Sequence, residues 1–211
     1  MVTTNDTRLF ELALLYGHHP SRQERQMEDP QLREYIDSCC YTYRMHPLSS
    51  VIARVQLKFL DSWNKKRRQN ADRLSQQLAE IPGIKPPTVL PGGEHVYHMY
   101  PMTYCSEELD GLPREIFMNA LKAEGVSVGT YIGIPIYLRK RYQERDYFWG
   151  KGLPWSLGKR KVVYKKGDCP VAESLADKVL TLPPYIEPKT GFLDQYIAAF
   201  RKVTLNYKEL L

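Results

Sequence analysis

Apolar residues at helical spacing fill the stretch between Pro47 and Pro82. Most are three or four positions apart: Leu48, Ile52, Val55, Phe59 and Trp63, then Leu74, Leu78 and Ile81. This spacing places them on one face of a helix, and Pro47 suits a first helical position, where a missing N–H costs nothing. We predict one helix over residues 47–81, about 50 Å long at about 1.5 Å per residue. A helix of that length is typical of a connection between two bodies.

Strand-like and helix-like segments alternate around this helix. Residues 1–4 form a short, partly β-branched segment that is predicted as a strand. A helix follows, with an N-cap at Asn5 or Asp6 and its end at Gly17. Residues 18–38 are predicted as a long polar loop with a helical turn at 31–37. Further on, the pattern predicts strands at 95–104, 126–128 and 179–182, and helices after Pro113, after Cys169 and near the C-terminus. This alternation indicates the α/β class.

The composition limits the classes of protein to which this chain can belong. No apolar run approaches the roughly 18 residues that span a membrane, and residues 1–6 lack the basic start and apolar stretch of a signal peptide. The cysteines, at 39, 40, 105 and 169, have no metal-type spacing. We therefore expect a reduced, cytoplasmic protein without a metal or membrane partner. The net charge of +6 favours anionic partners such as phosphates without requiring nucleic acid, which is the weakest of the binding hypotheses.

Six short phrases occur in an order that resembles one family. They are MVTTND at 1–6, CYTYRM at 40–45, EHVYHMYP at 94–101, GV at 125–126 with the 131–137 segment, CPVAE at 169–173 and AFRKV at 199–203. Together they resemble the C-terminal half of the pyridoxal-phosphate-dependent sugar or aminocyclitol aminotransferases of the DegT/DnrJ/StrS type, which have fold type I.

The resemblance implies a specific architecture. Residues 1–46 would be the last strand and helix of the large cofactor domain with an interface loop, and residues 47–81 the connecting helix. Residues 82–211 would be the C-terminal small domain, with a small, mainly antiparallel sheet and helices.

The resemblance also implies an activity that this chain does not complete. The family transfers an amino group from an amino acid to a nucleotide-linked keto-sugar or a keto-cyclitol, with a Schiff-base lysine in the N-terminal half. The lysines here lie in polar helix patterns typical of solvated surface, for example Lys58, Lys65, Lys66, Lys122 and Lys202, and an imine lysine needs a lowered pKa. We predict that the chain is inactive without an N-terminal half or a full-length subunit, with which it forms a homo- or heterodimer. The alternative is a non-catalytic partner or binding subunit derived from the family.

Five residues are candidate contacts through the resemblance. Thr42 and Arg44 are predicted to contact the phosphate of the partner subunit's pyridoxal phosphate, although the family usually has asparagine where Thr42 stands. His98, Tyr131 and Tyr137 are predicted to contact substrate, although histidine is common at the position of Tyr137.

Each candidate also has a structural interpretation. The 41–44 segment would merely anchor the loop to the following helix, with Arg44 in an ion pair. His98 would be a core histidine bonded to backbone. The basic, aromatic residues of 138–166 would grip a nucleotide diphosphate or form a solvated loop, Glu173 would favour a helix dipole, and Cys169 would be structural.

Overall fold

The computed structural model describes residues 2–36, 41, 43, 45–145, 152–153, 155–160 and 162–211. The chain divides into two compact units, Met1–Leu60 and Asp61–Leu211. The described helices of the first unit are α1 (Thr7–Gly17), α2 (Pro20–Gln26), α3 (Pro30–Arg33) and α4 (Pro47–Leu57). Helix α5 (Leu60–Leu78) begins at the last residue of the first unit and otherwise belongs to the second.

The second unit contains a sheet and further helices. Its strands are β1 (Ile84–Lys85), β2 (Tyr100–Tyr104) and β3 (Val179–Leu182), and its other helices are α6 (Arg114–Ala123), α7 (Lys140–Glu144), α8 (Pro170–Lys178) and α9 (Phe192–Leu205). Short 3₁₀ turns lie at Ser106–Leu109, Ile136–Leu138, Trp155–Leu157 and Tyr207–Leu210. Within the described residues, no helix is both long and apolar enough to cross a membrane.

Helix α1 begins and ends through side-chain hydrogen bonds. The carboxylate of Asp6 accepts from the backbone N–H of Leu9 at 2.9 Å, as an N-cap does. At the other end, the buried Gln23 amide donates to the carbonyls of Leu14, Leu15 and His18 at 3.1, 2.9 and 2.8 Å. Carbonyls at a helix end lack partners in their own helix, so Gln23 helps to satisfy those of Leu15 and His18, whereas Leu14 O also accepts from the His18 N–H at 3.0 Å.

Residues 18–38 contain more structure than the predicted polar loop. Two short helices, α2 and α3, each start with proline and are packed around a small core of Leu14, Met27 and Leu32. The buried Glu11 carboxylate accepts from the backbone N–H groups of Glu28 and Asp29 and so fixes the start of α3. The predicted helical turn at 31–37 corresponds in part to α3.

The predicted single helix over 47–81 is wrong at Lys58 and Phe59, where the structure changes from one helix to the next. The N–H of Lys58 bonds to Val55 O at 3.2 Å and that of Phe59 to Gln56 O at 3.0 Å. These are the tighter i→i+3 bonds of a 3₁₀ turn, so α4 and α5 are separate helices. The helical pattern ends at Leu78, and the assignment of residues 1–46, 47–81 and 82–211 to domains stays a prediction.

The apolar stripe of α4 faces solvent within its unit. None of its residues is buried, and Leu48, Val51, Ile52 and Val55 are exposed at the i, i+3, i+4 and i+7 positions. His46 caps the helix, since its ring nitrogen accepts from Leu48 N–H at 3.2 Å. The amphipathic pattern is therefore real, but its apolar face has no covering among the described residues of the unit.

The second unit is built on a three-stranded antiparallel sheet in the order β1-β2-β3. Tyr100 pairs with Leu182, and Ile84 with Tyr104. Along β2 the buried residues alternate, with Tyr100, Met102 and Tyr104 on the core side. This arrangement confirms the predicted α/β class and the small antiparallel sheet. The core contains Leu74 and Leu78 from α5, Phe117 and Leu121 from α6, Leu180 and Leu182 from β3, and Ile197 and Phe200 from α9.

Three predicted strands differ in the structure. Within the described residues 2–4, no strand pairing is present. The 126–128 segment is buried at Val126 and Val128 but contributes only an isolated bridge nearby, between Gly129 and Thr181. Strand β2 begins at Tyr100 instead of residue 95, because Tyr97 has a left-handed backbone with φ 47°, which interrupts an extended chain.

Candidate functional site

Tyr131 and Tyr137, two of the predicted substrate contacts, line the same cavity. We call this the tyrosine cavity; its volume is about 410 Å³. The Ile136–Leu138 turn and the preceding loop form one side, and α8 forms the other. The lining residues are Tyr131, Ile132, Pro135, Ile136, Tyr137, Cys169, Ala172, Leu175, Ala176 and Val179. The wall is mainly apolar, which suits ring faces and aliphatic groups of a ligand, with the tyrosines as polar groups.

Glu173 of α8 fixes the position of Tyr137. The Tyr137 hydroxyl donates to the Glu173 carboxylate, and the backbone N–H of Gly167 donates to the same carboxylate at 2.6 Å. Pro170 begins α8, and Glu173 lies in the same first turn of this helix. The predicted helix-dipole role of Glu173 is therefore incomplete, because this carboxylate also orients a candidate substrate contact.

The electrostatics of this pair keep the tyrosine protonated and the glutamate ionised. Partial burial, and then the hydrogen bond to Glu173, raise the pKa of Tyr137 to about 12. In turn, the Tyr137 hydroxyl and then the Gly167 N–H lower the pKa of Glu173. At neutral pH the pair is a neutral phenol bonded to a carboxylate, so Tyr137 presents its ring and its oxygen lone pairs to the cavity.

His98 lies outside the tyrosine cavity. It is exposed and sits in a bend just before β2, so the interpretation as a core histidine does not hold. His95 has the local backbone contact instead, since its ring nitrogen accepts from Tyr97 N–H at 2.9 Å. The substrate role of His98 stays a prediction.

Thr42 and Arg44 lie outside the described residues, so their predicted cofactor contacts also stay predictions. Their neighbours Tyr41 and Tyr43 are described. The N–H of Tyr41 donates to Tyr16 O at 3.0 Å, and that of Tyr43 to Gly17 O at 2.9 Å. These bonds attach the segment to the end of α1 and leave both tyrosine side chains exposed.

Four lysines in the described part of the chain are held in exposed ion pairs. Lys66, Lys85, Lys178 and Lys202 each form an ion pair with a glutamate. The contact with Glu107 raises the pKa of Lys178, whereas an imine lysine needs a lowered pKa. The same described residues contain no group of three or more His, Cys, Asp or Glu side chains placed to hold a metal ion.

The fold and the sequence together define a class, that of aminotransferases. The structure of an aminotransferase from Psychrobacter cryohalolentis superposes with a TM-score of 0.67 over 97% of this chain and 51% of that one, at 20% identity. The DegT/DnrJ/EryC1/StrS aminotransferase family matches residues 1–201. The chain belongs to this family, as its phrases predicted.

Curated relatives are about twice as long as the matched region. The spore coat polysaccharide biosynthesis protein SpsC of Bacillus subtilis (strain 168) is 27% identical over 207 residues, which are 96% of this chain and 49% of the relative. The dTDP-3-amino-3,4,6-trideoxy-alpha-D-glucose transaminase of Streptomyces venezuelae is 28% identical over 188 residues, 88% of this chain and 41% of the relative. The chain therefore spans about half the length of these relatives or less.

Sequence reasoning missed the α8 side of the cavity. Cys169, Leu175 and Glu173 were visible in a helical segment, but no pattern within that segment shows which loop it contacts. The one available signal was the family phrase at 169–173, which follows the phrase containing Tyr131 and Tyr137.

Proposed function

We propose that this chain supplies the C-terminal part of a pyridoxal-phosphate-dependent aminotransferase. Its reaction would transfer an amino group from an amino acid to a nucleotide-linked keto-sugar or a keto-cyclitol. The observation that carries this proposal is the family match over residues 1–201. Bound pyridoxal phosphate would act as the electron sink of the reaction.

The tyrosine cavity is the proposed position of the sugar or cyclitol ring. Its apolar wall suits the C–H face of such a ring, and Tyr131 and Tyr137 supply polar groups at the edge. Glu173 holds Tyr137 in one orientation, and a fixed side chain loses less entropy when a ligand binds.

In this proposal the chain depends on a second polypeptide for its activity. A polypeptide corresponding to the other half of the relatives would supply the Schiff-base lysine, and the chain alone would not transaminate. The complete assembly would be a dimer in which Thr42 and Arg44 contact the phosphate of the partner subunit's cofactor. We place it in the cytoplasm, because Cys105 and Cys169 are both free thiols.

Co-expression tests this proposal. The chain is produced with the N-terminal half of a family member that carries the lysine, and the purified material is examined for association and for the visible absorbance of bound pyridoxal phosphate. We expect a complex with that absorbance and with transaminase activity, and neither in the chain alone. Absence of both association and cofactor absorbance would contradict the aminotransferase role and leave the chain a binding subunit.

The tyrosine pair has its own test within that assembly. Glu173→Gln removes the carboxylate that orients Tyr137, so we expect a higher KM for the keto substrate with little change in cofactor absorbance. Glu209→Gln, at an exposed position in the Tyr207–Leu210 turn, is the matched control. An equal effect of the two variants would argue against a substrate role for the tyrosine cavity.

A further inference from the structure

The segment that precedes α8 in the second unit is strongly basic. Residues 150–167 include six lysine and arginine residues and no aspartate or glutamate. Within the described part of this segment, Lys159 and Arg160 are exposed and line one cavity together with Arg145. Neither Lys159 nor Arg160 forms an ion pair with a described residue. The segment therefore presents positive charge that its described surroundings do not neutralise.

Aliphatic side chains lie exposed beside these cations. Leu157 is 79% exposed and Val163 is 69% exposed. Leu157 ends the Trp155–Leu157 turn and Val163 follows Val162, and both Trp155 and Val162 line the cavity that contains the cations. Exposed aliphatic groups next to lysine and arginine are typical of protein segments that lie on a membrane surface. We call the following residues the basic surface: Leu157, Lys159, Arg160 and Val163.

The aromatic rings of this region disfavour RNA as the partner of the basic surface. Proteins bind single-stranded nucleic acid with aromatic faces on which the bases stack. Here Trp155 is half-buried and packs edge-on against Tyr142 with ring centroids 5.9 Å apart, and Tyr164 packs edge-on against the same ring at 6.4 Å. These rings contact one another, whereas the exposed apolar groups are aliphatic. Aliphatic side chains suit the edge of a lipid layer better than a nucleobase.

We propose that the basic surface binds the face of a membrane that contains anionic lipids. Lys159 and Arg160 are attracted to the negative lipid headgroups, and Leu157 enters the boundary between headgroups and acyl chains. The net charge of +6 on the whole chain adds to this attraction. Such peripheral attachment needs no spanning segment, so the expectation of no membrane partner, based on the lack of a long apolar run, does not extend to it.

Sedimentation of the purified chain with lipid vesicles tests the proposal. The vesicles consist of phosphatidylcholine alone, or of equal parts of phosphatidylcholine and phosphatidylglycerol. We expect the chain to sediment with the anionic vesicles and not with the neutral ones, and its binding to fall as salt is added, because salt screens the attraction between charges. Oligouridylate, added at the same concentration of phosphate groups as the lipid, should not displace the chain from the anionic vesicles.

Two variants with matched controls locate the binding surface. Lys159→Gln should weaken binding to the anionic vesicles by about fivefold, the effect of one cation near a negative membrane surface. Leu157→Gln should weaken it by about tenfold, because one leucine side chain no longer leaves water. The controls are Lys122→Gln on α6 and Leu205→Gln on α9, where Leu205 is 82% exposed, and both should bind as the wild type does. All four positions are exposed, so thermal unfolding should be unchanged in every variant.

Four outcomes would overturn the proposal: no sedimentation with anionic vesicles, equal sedimentation with neutral ones, displacement by oligouridylate, or full vesicle binding by either surface variant. Displacement by oligouridylate would identify the surface as one for nucleic acid. The result is independent of transamination. A chain that binds anionic vesicles but never gains cofactor or activity would uphold the basic surface and refute the proposed function, and an active assembly without vesicle binding would do the opposite.

Discussion

Tyr104→Phe tests how much one buried hydrogen bond contributes to the second unit. The Tyr104 hydroxyl is buried and donates to Leu112 O at 2.8 Å, while its ring stacks on Phe117 with centroids 4.8 Å apart. Phenylalanine keeps the stacking but leaves the carbonyl without its donor. A net hydrogen bond contributes about 1 kcal/mol and an unsatisfied buried acceptor costs about 1–3 kcal/mol. We expect a loss of about 1–2 kcal/mol in the free energy of unfolding, within that range.

Urea unfolding measured by tryptophan fluorescence is a suitable assay, because Trp63 and Trp155 lie in the second unit. At a slope of roughly 2 kcal/mol per M, the midpoint should fall by roughly 0.5–1 M with the slope unchanged. Tyr207→Phe is the control, since its hydroxyl bonds to Asp110 at an exposed position where water replaces the contact. A wild-type midpoint for Tyr104→Phe, or an equal loss in the control, would refute the reasoning.

Three further predictions concern other parts of the chain. Gly83→Ala should lower the urea midpoint more than Gly111→Ala, although both glycines have positive φ. A Cβ at Gly83 would lie 2.8 Å from Leu109 Cδ1, whereas a Cβ at Gly111 would meet no atom within 4 Å. Equal losses in the two variants would contradict this expectation. Burial raises the pKa of Tyr100 to about 12, so its protonated form stabilises the fold fully below about pH 10 and this contribution is lost between about pH 10 and 12. Tyr100→Phe should therefore weaken the pH dependence of the free energy of unfolding in this range. An unchanged pH dependence would contradict this role of Tyr100. Ile52→Gln on α4, a residue 59% exposed, should reduce self-association in light scattering without lowering thermal stability, and unchanged association would argue against an adhesive α4 face.

Local signals in the sequence were sufficient to predict those helices and strands whose first and last residues are marked by a cap, a glycine or a change in apolar periodicity. Helix α1 begins after Asp6 and ends at Gly17, and β3 covers the predicted residues 179–182. Helix α9 likewise follows its amphipathic pattern. Each of these segments has apolar periodicity or a cap within its own residues, so no distant contact was needed to identify it.

Elements that depend on distant contacts could not be predicted in the same way. Helices α2 and α3 are short and polar, and they are held by the buried Gln23 and Glu11 side chains. The polar pattern of residues 18–38 predicted only a loop there. The turn at Lys58 and Phe59 interrupts a helical pattern that continues unbroken in sequence. The left-handed Tyr97 shortens β2, although aromatic residues favour strands.

The candidate site was predictable only in part. The family resemblance brought Tyr131 and Tyr137 forward, and the structure places both in the tyrosine cavity. It did not identify Glu173 as the partner of Tyr137, because 36 residues separate the two and their contact depends on the return of the chain at α8. His98 was chosen from the same resemblance but lies elsewhere in the described fold.

The strand pairing has a consequence for synthesis of the chain. The central strand β2 pairs with β1 close by in sequence, but its other edge waits for β3, since Tyr100 pairs with Leu182. During translation, the hydrogen-bonding groups of that edge stay unpaired until β3 (Val179–Leu182) has emerged, and such long-range pairing slows folding. An unpaired strand edge invites association with other chains. We therefore expect the nascent chain to be prone to association until β3 has paired with β2.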